Sequence, residues 1–255
     1  METLIATFAE RLANARYVVV STGAGVSRES GVPTFRDALE GLWAQYDPTE
    51  LATPQAFAAD PAKVWDFYAY RRDLVRKTQP NPAHEALAAL ETLVTRFLLV
   101  TQNVDGHHHT AGSQQIITLH GDLFAFKCSC EQARPIDFDA LPADQRDQSP
   151  PPCPYCDTGY TRPNVVWFGE QLPLDNLTRA FEAAQACDVM LVVGTSGMVY
   201  PAARLPFLAQ EHGALLAEIN PIPSEITPYV DMHLPAPAGE ALPRVVDAVR
   251  QLKRP

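Results

Sequence analysis

The chain of 255 residues predicts an α/β fold: a Rossmann-like doubly wound parallel sheet with a smaller inserted lobe. Short apolar runs at 17–21, 97–101, 116–119, 189–193, 215–219 and 231–234 read as buried strands. Helix-period segments alternate with them at 4–13, 82–94, 176–186, 202–210 and 242–252. Strands that alternate with helices require a parallel sheet covered on both faces, and such sheets bind ligands at the carboxyl ends of their strands. Two stretches break the rhythm. Residues 38–81 are mostly helical, with Trp65, Phe67 and Tyr68 in one aromatic-rich helix, and 126–163 hold four cysteines, many prolines and little periodicity. The large domain is therefore read as 1–37, 82–125 and 164–255, and the small lobe as a helical module (38–81) plus a cysteine-bearing module (126–163).

A 46% hydrophobic and 20% charged composition is ordinary for a globular chain. Lysine and arginine number 20 against 30 acidic residues, a formal charge of −10. That balance argues against a general grip on phosphate backbones, so no nucleic-acid partner is expected. An anionic substrate would need a local cation. Five cysteines without a secretory signal do not read as a disulfide framework. Residues 1–15 are amphipathic, with acids at Glu2 and Glu10 in place of a charged head followed by an apolar core. No apolar run approaches the roughly 20 residues of a membrane span. A cytoplasmic, monomeric chain without a membrane partner is the expectation. There is no internal repeat and no low-complexity tract.

The first strand runs into Ser21-Thr22-Gly23-Ala24-Gly25-Val26-Ser27. A glycine turn there lets backbone N–H groups approach a pyrophosphate at a helix N-terminus. The sixth position of G-x-G-x-x-G is Arg28, however, and no acidic residue closes a second strand about 20 residues on, where ribose recognition belongs. On the glycines alone, an ordinary strand-to-helix turn is equally compatible.

The longer segment is far more specific. Gly23-Ala24-Gly25-Val26-Ser27-Arg28-Glu29-Ser30-Gly31-Val32-Pro33-Thr34-Phe35-Arg36 closely resembles the NAD-binding loop of the sirtuin family. Thr101-Gln102-Asn103-Val104-Asp105-Gly106, His120-Gly121, Pro163-Asn164-Val165-Val166-Trp167-Phe168-Gly169-Glu170, Gly194-Thr195-Ser196 and Asn220-Pro221 follow in family order. The resemblance covers nearly the whole chain. It implies an NAD-consuming lysine deacylase in which Asn103 and Asp105 hold the nicotinamide end and Gln102 contacts the ribose. The resemblance also assigns NAD binding to the turn residues Gly23, Ala24, Gly25 and Ser27, and to Pro33, Phe35, Arg36 and Val104. Gly194, Thr195, Ser196, Asn220, Pro221 and Ala238 bind the adenosine side. His120 becomes the general base, a task suited to imidazole because its ordinary pKa, about 6.5, lies near working pH. His108 matches the family's D-x-L-H segment, whereas His107 stands where leucine is usual. The His107-His108-His109 run is a poor metal cluster, because adjacent residues point different ways.

Cys128, Cys130, Cys153 and Cys156 form a C-x-C and a C-x-x-C pair. Four thiolates can close a tetrahedral structural zinc site; free or partly oxidised thiols are the alternative, and spacing favours zinc. The C-x-C half is one residue shorter than the family's pattern, which puts Cys130 in doubt. Cys187 reads as a small buried hydrophobe.

Tyr68 and Arg71 stand three apart and share a helix face. A guanidinium fork with a phenol O–H suits a carboxylate. On spacing alone, a core tyrosine beside a surface arginine is the better reading. This Tyr-x-x-Arg, with Ala52 in Leu51-Ala52-Thr53-Pro54, resembles the acyl-selecting residues of the desuccinylase and demalonylase branch. That resemblance implies removal of succinyl, malonyl or glutaryl groups, and also acetyl, from acyl-lysine protein substrates. The acyl carbonyl oxygen displaces nicotinamide from the ribose, His120 takes a ribose hydroxyl proton, and lysine and O-acyl-ADP-ribose leave. NAD is then a co-substrate and zinc is structural. A plain deacetylase, a mono-ADP-ribosyltransferase, an NAD-dependent oxidoreductase and a non-catalytic NAD- or zinc-binding module are the alternatives.

Overall fold

The computed structural model describes residues 2–34, 46–130 and 133–254. In chain order its strands are β1 (Tyr17–Thr22), β2 (Arg96–Thr101), β3 (Ile116–Thr118), β4 (Gly121–Cys128), β5 (Pro135–Ile136), β6 (Thr161–Val165), β7 (Val189–Val193), β8 (Leu215–Ile219) and β9 (Met232–Leu234). The helices begin with α1 (Glu2–Asn14), α2 (Gly25–Arg28), α3 (Pro48–Leu51), α4 (Pro54–Ala59), α5 (Pro61–Arg76) and α6 (Pro82–Leu93). They continue with α7 (His107–Thr110), α8 (Ala143–Arg146), α9 (Leu174–Ala186), α10 (Leu205–Glu211) and α11 (Ala238–Leu252).

Six strands pair in parallel in the order β3-β2-β1-β7-β8-β9. Successive side chains of a strand point to opposite faces, and this alternation builds two cores. Val18 and Val20 pack with α1, α6 and α11 on one face, for example on Phe8, Leu87 and Val245. Tyr17 and Val19 pack with α9 and α10 on the other, on Ala180, Ala184 and Leu205. Full burial of a valine or leucine contributes about 1.5–3 kcal/mol, which explains why these strands read as unbroken apolar runs. The chain steps outward from β1 through β2 to β3, and outward from β7 through β8 to β9. The order therefore reverses between β1 and β7, and a crevice opens at their carboxyl ends.

Local chemistry sets the helix starts. Asp60 caps α5 by accepting from the Lys63 N–H, and Pro61 opens the helix. Asn81 and His84 form a reciprocal capping box at α6. Helix α11 begins at Ala238, four residues before the expected start at 242. Pro243 sits inside it, and the residue four before it, where a proline ring crowds the helix, is Gly239.

The small lobe holds α3, α4 and α5 against a second sheet, antiparallel in the order β5-β4-β6. The low periodicity of 126–163 gave no sign of this sheet. Its pairing slips between Asp122 and Phe126, which breaks the alternation of β4, and β6 carries Arg162 and Pro163. Because β4 starts at Gly121 and β6 ends at Val165, the expected domain boundaries near 125 and 164 fall within these two strands. No helix among the described residues is long and apolar enough to cross a membrane.

Candidate active site

At the crevice two turns cross with almost no space between them. The Gly23 N–H donates to the Val193 carbonyl (3.1 Å) and the Gly25 N–H to the Gly194 carbonyl (2.8 Å). A Cβ on Gly25 would lie 2.6 Å from the Gly194 oxygen, and one on Gly23 would lie 2.7 Å from the Thr195 Cβ. Gly194 has φ +59°, and a Cβ there would come within 2.5 Å of the Val26 nitrogen. These glycines therefore serve backbone-on-backbone packing of β1 and β7, and the Gly23 and Gly25 N–H groups are not free to hold a pyrophosphate. Ala24 stays exposed at the tip of the turn, and Pro33 is half-buried. Phe35 and Arg36 lie outside the described residues.

The end of β2 carries a buried polar chain. Asn103 donates from Nδ2 to the Ser27 Oγ (3.1 Å), while its own N–H reaches the Thr101 Oγ1 (3.0 Å). Ser27 Oγ also meets His84 Nε2 at 3.3 Å. The Asn81 N–H donates to His84 Nδ1 (3.2 Å), so the proton of this ring resides on Nε2 and points at Ser27. Burial pushes the His84 pKa down to about 4, opposed by the Asp105 charge, and the ring is neutral near pH 7. Asp105 accepts from the His107 N–H (2.9 Å). His107 and His108 are buried and turn to different partners, Thr78 and Thr22. Only cysteines form a metal-holding group among the described residues.

His120 follows β3 and meets the Gln102 carbonyl through Nδ1 at 3.0 Å. A carbonyl can only accept, so Nδ1 carries the proton and Nε2 keeps a lone pair. Burial lowers the His120 pKa, with the Gln102 carbonyl pulling the other way. The group is a neutral base at neutral pH.

Gln102 Nε2 donates to the Thr195 Oγ1 (3.3 Å), linking the ends of β2 and β7. Asn220 Nδ2 reaches the Thr195 carbonyl (3.0 Å), and the Ser196 carbonyl accepts from the Glu225 N–H (3.2 Å). Ala238 is buried at the start of α11, and Pro221 is exposed beyond β8. Glu218, fully buried, accepts from the Ser224 and Thr227 hydroxyls at 2.5 Å each and holds the loop that follows Asn220.

In the small lobe, Ala52, Tyr68, Val104, Val165 and Trp167 belong to one apolar cluster. The Phe168 N–H donates to the Ala52 carbonyl (2.9 Å), which ties the two wall segments together. Tyr68 is 1% exposed, and burial pushes its phenol up to about 12. Burial lowers the Arg71 pKa, while the charges of Tyr68 and Asp105 support its ionised form. Arg71 thus lies within electrostatic reach of both Tyr68 and Asp105. Arg162 forms a salt bridge to Glu170 (2.6 Å) and stacks its guanidinium 3.1 Å over the Trp167 ring. Sequence reasoning assigned no role to His84, Arg162, Glu170, Trp167 or Glu218.

Cys128, Cys130 and Cys156 bring their sulfurs within 4.8 Å of one another. Cys153 packs in the same cluster but outside that group of three. The Cys130 and Tyr155 N–H groups donate to the Cys128 and Cys153 sulfurs, each at 3.4 Å. A Cβ on Gly159 would stand 2.7 Å from the Cys156 Sγ and 3.1 Å from the Cys128 Sγ, so only glycine leaves this thiol cradle open. The donor set and the cradle fit a structural zinc ion.

A strand-order reversal with amides, a carboxylate and a neutral imidazole gathered at the strand ends marks an α/β enzyme of the nucleotide-binding kind. Residues 23–201 match the model of the Sir2 family. The chain is 54% identical over 243 residues to NAD-dependent protein deacylase 1 of Pseudomonas aeruginosa, covering 93% of this chain and 96% of that one. It is 46% identical to the NAD-dependent protein deacylase of Pyrococcus abyssi, covering 98% and 99%. A Sir2 homolog–NAD complex superposes with a TM-score of 0.86 at 45% identity, covering 97% and 94%. A Sir2 protein bound to a myristoylated histone peptide gives 0.79 at 35%, covering 99% and 98%. The chain belongs to the Sir2 (sirtuin) family, a family of enzymes.

Proposed function

We propose that this chain is an NAD-dependent protein-lysine deacylase that prefers acidic acyl groups, succinyl and malonyl first among them. The observation that supports it most is the placement on α5 of the buried Tyr68 and, three residues on, the half-buried Arg71, with the small Ala52 in the same apolar cluster as Tyr68. A guanidinium beside a buried phenol in an otherwise apolar wall offers two donors matched to a ligand that brings a carboxylate.

NAD would be held by the crevice between β1 and β7 and supplies the glycosidic bond whose cleavage releases nicotinamide. Asn103, fixed through Ser27 and Thr101, presents its amide there with Asp105. Gln102, Thr195, Ser196 and Asn220 frame the ribose and adenosine side. His120 Nε2, its tautomer set by the Gln102 carbonyl, accepts the ribose hydroxyl proton. The thiol cluster lies in the other lobe and takes no part in these steps. The substrate is an acyl-lysine side chain of another protein, and a cytoplasmic setting remains part of the proposal.

The test is a panel of one peptide bearing succinyl-, malonyl-, acetyl- or myristoyl-lysine, with nicotinamide release and lysine product both followed. Highest kcat/KM for succinyl or malonyl supports the reading. Highest kcat/KM for acetyl or myristoyl leaves the deacylase and removes the acidic preference. Nicotinamide release with an ADP-ribosylated protein product would indicate a transferase.

A further inference from the structure

We propose that the Trp167 indole N–H is a third donor to the distal carboxylate of the acyl chain, beside Tyr68 and Arg71. This specificity-determining role rests on the acidic-acyl reading. Trp167 is 2% exposed, yet its Nε1 is buried without a hydrogen-bond partner among the described residues. An indole N–H can only donate, and leaving such a donor unsatisfied is unfavourable, so a buried one points to a missing acceptor.

The position of the indole indicates where that acceptor lies. Its ring centroid is 6.3 Å from that of Tyr68, at 31° between planes. The indole also interacts with the Tyr68 phenol, which offsets part of its burial-driven pKa rise. The indole therefore stands beside Tyr68, one of the two residues assigned to the distal carboxylate. Ala52 and Val165, in the same cluster, offer no polar side-chain atom to compete for it.

A second feature strengthens the donor. The Arg162 guanidinium lies 3.1 Å over the indole ring, held by Glu170 at 2.6 Å. A cation over the ring face draws electron density from it and leaves the N–H more positive. Glu170 also accepts from the Trp167 backbone N–H at 2.8 Å, which fixes the residue at both ends.

The experiment compares kcat/KM for succinyl-lysine and butyryl-lysine peptides, two acyl chains of equal length of which only one ends in a carboxylate. Wild type, Trp167→Phe and a chain with 3-benzothienylalanine at 167 are measured. The last keeps the bicyclic shape and replaces N–H by sulfur, so it serves if the phenylalanine variant folds poorly. A hydrogen bond to a charged group, 1.5–3 kcal/mol, corresponds to roughly a 10- to 100-fold fall in the succinyl-to-butyryl ratio. A fall of that size in the benzothienyl protein supports the donor. An unchanged ratio there, in an enzyme whose wild type prefers succinyl, overturns it. A wild type without succinyl preference overturns the acidic-acyl reading itself, and the donor with it.

Discussion

The crossing of β1 with β7 and the wall of the small lobe are built on opposite principles. At the crossing, side chains are removed: three glycines let the backbones of two strand ends touch, with carbonyls and amides paired. At the wall, large side chains are crowded in, among them Tyr68, Trp167 and the cations Arg71 and Arg162, with Arg72 at their edge. Burial drives the Arg72 pKa down to about 10, and Arg162 forms a salt bridge to Glu170. Buried cations are costly unless paired, so the wall is organised around salt bridges and rings stacked by guanidinium groups. The difference separates two duties. In the proposed function the crossing frames the crevice for NAD, and the wall selects the acyl group.

The comparison predicts where substitutions act. His120→Ala, at the crevice, should lower deacylation kcat/KM by roughly 10²–10⁴-fold, the usual contribution of a positioned general base. Its unfolding should stay cooperative by circular dichroism, and near wild-type turnover would remove His120 from the mechanism.

Gly25→Ala should destabilise the fold by about 1–3 kcal/mol, as overpacking does, because the added Cβ meets a backbone carbonyl that has little room to move. Urea unfolding measures it, and a loss below about 0.5 kcal/mol, the range of an ordinary surface change, would mean the crossing is looser than drawn.

Freshly purified, reduced protein should hold one zinc per chain by elemental analysis, and chelation should lower Tm, since structural zinc stabilises the folded state. Zinc-free protein of full stability would contradict the thiol cradle.

The smallest expected effect is in pH. Burial lowers the His120 pKa, so its neutral form persists below the ordinary imidazole value of about 6.5. The acid limb of kcat/KM should have its midpoint below that value, and a midpoint above 6.5 would reject His120 as the titrating base.

The large sheet was legible because both faces of β1, β2, β7 and β8 are covered, which forces unbroken valine and leucine runs. The small sheet was not, since the slip between Asp122 and Phe126 disturbs the alternation and Pro163 lies in a pairing strand. Strand-end polar residues were found through family resemblance, as residue type alone does not distinguish a ligand contact from a turn cap. His84, Trp167 and Glu218 received no role because their contacts are with Ser27, Tyr68 and Ser224, three-dimensional pairings that no local pattern encodes. Among the cysteines, the sequence put Cys130 in doubt, whereas the structure sets Cys153 apart from the tightest group of three.

The selectivity of the wall is the central claim, and the succinyl-to-acetyl ratio of kcat/KM in wild type and Arg71→Met tests it most directly. A charge-assisted hydrogen bond of 1.5–3 kcal/mol corresponds to roughly 10- to 100-fold. The account predicts a wild-type ratio well above one and its collapse in Arg71→Met, with deacetylation falling far less than desuccinylation. A wild type that prefers acetyl, or a variant that loses both activities equally, would contradict it.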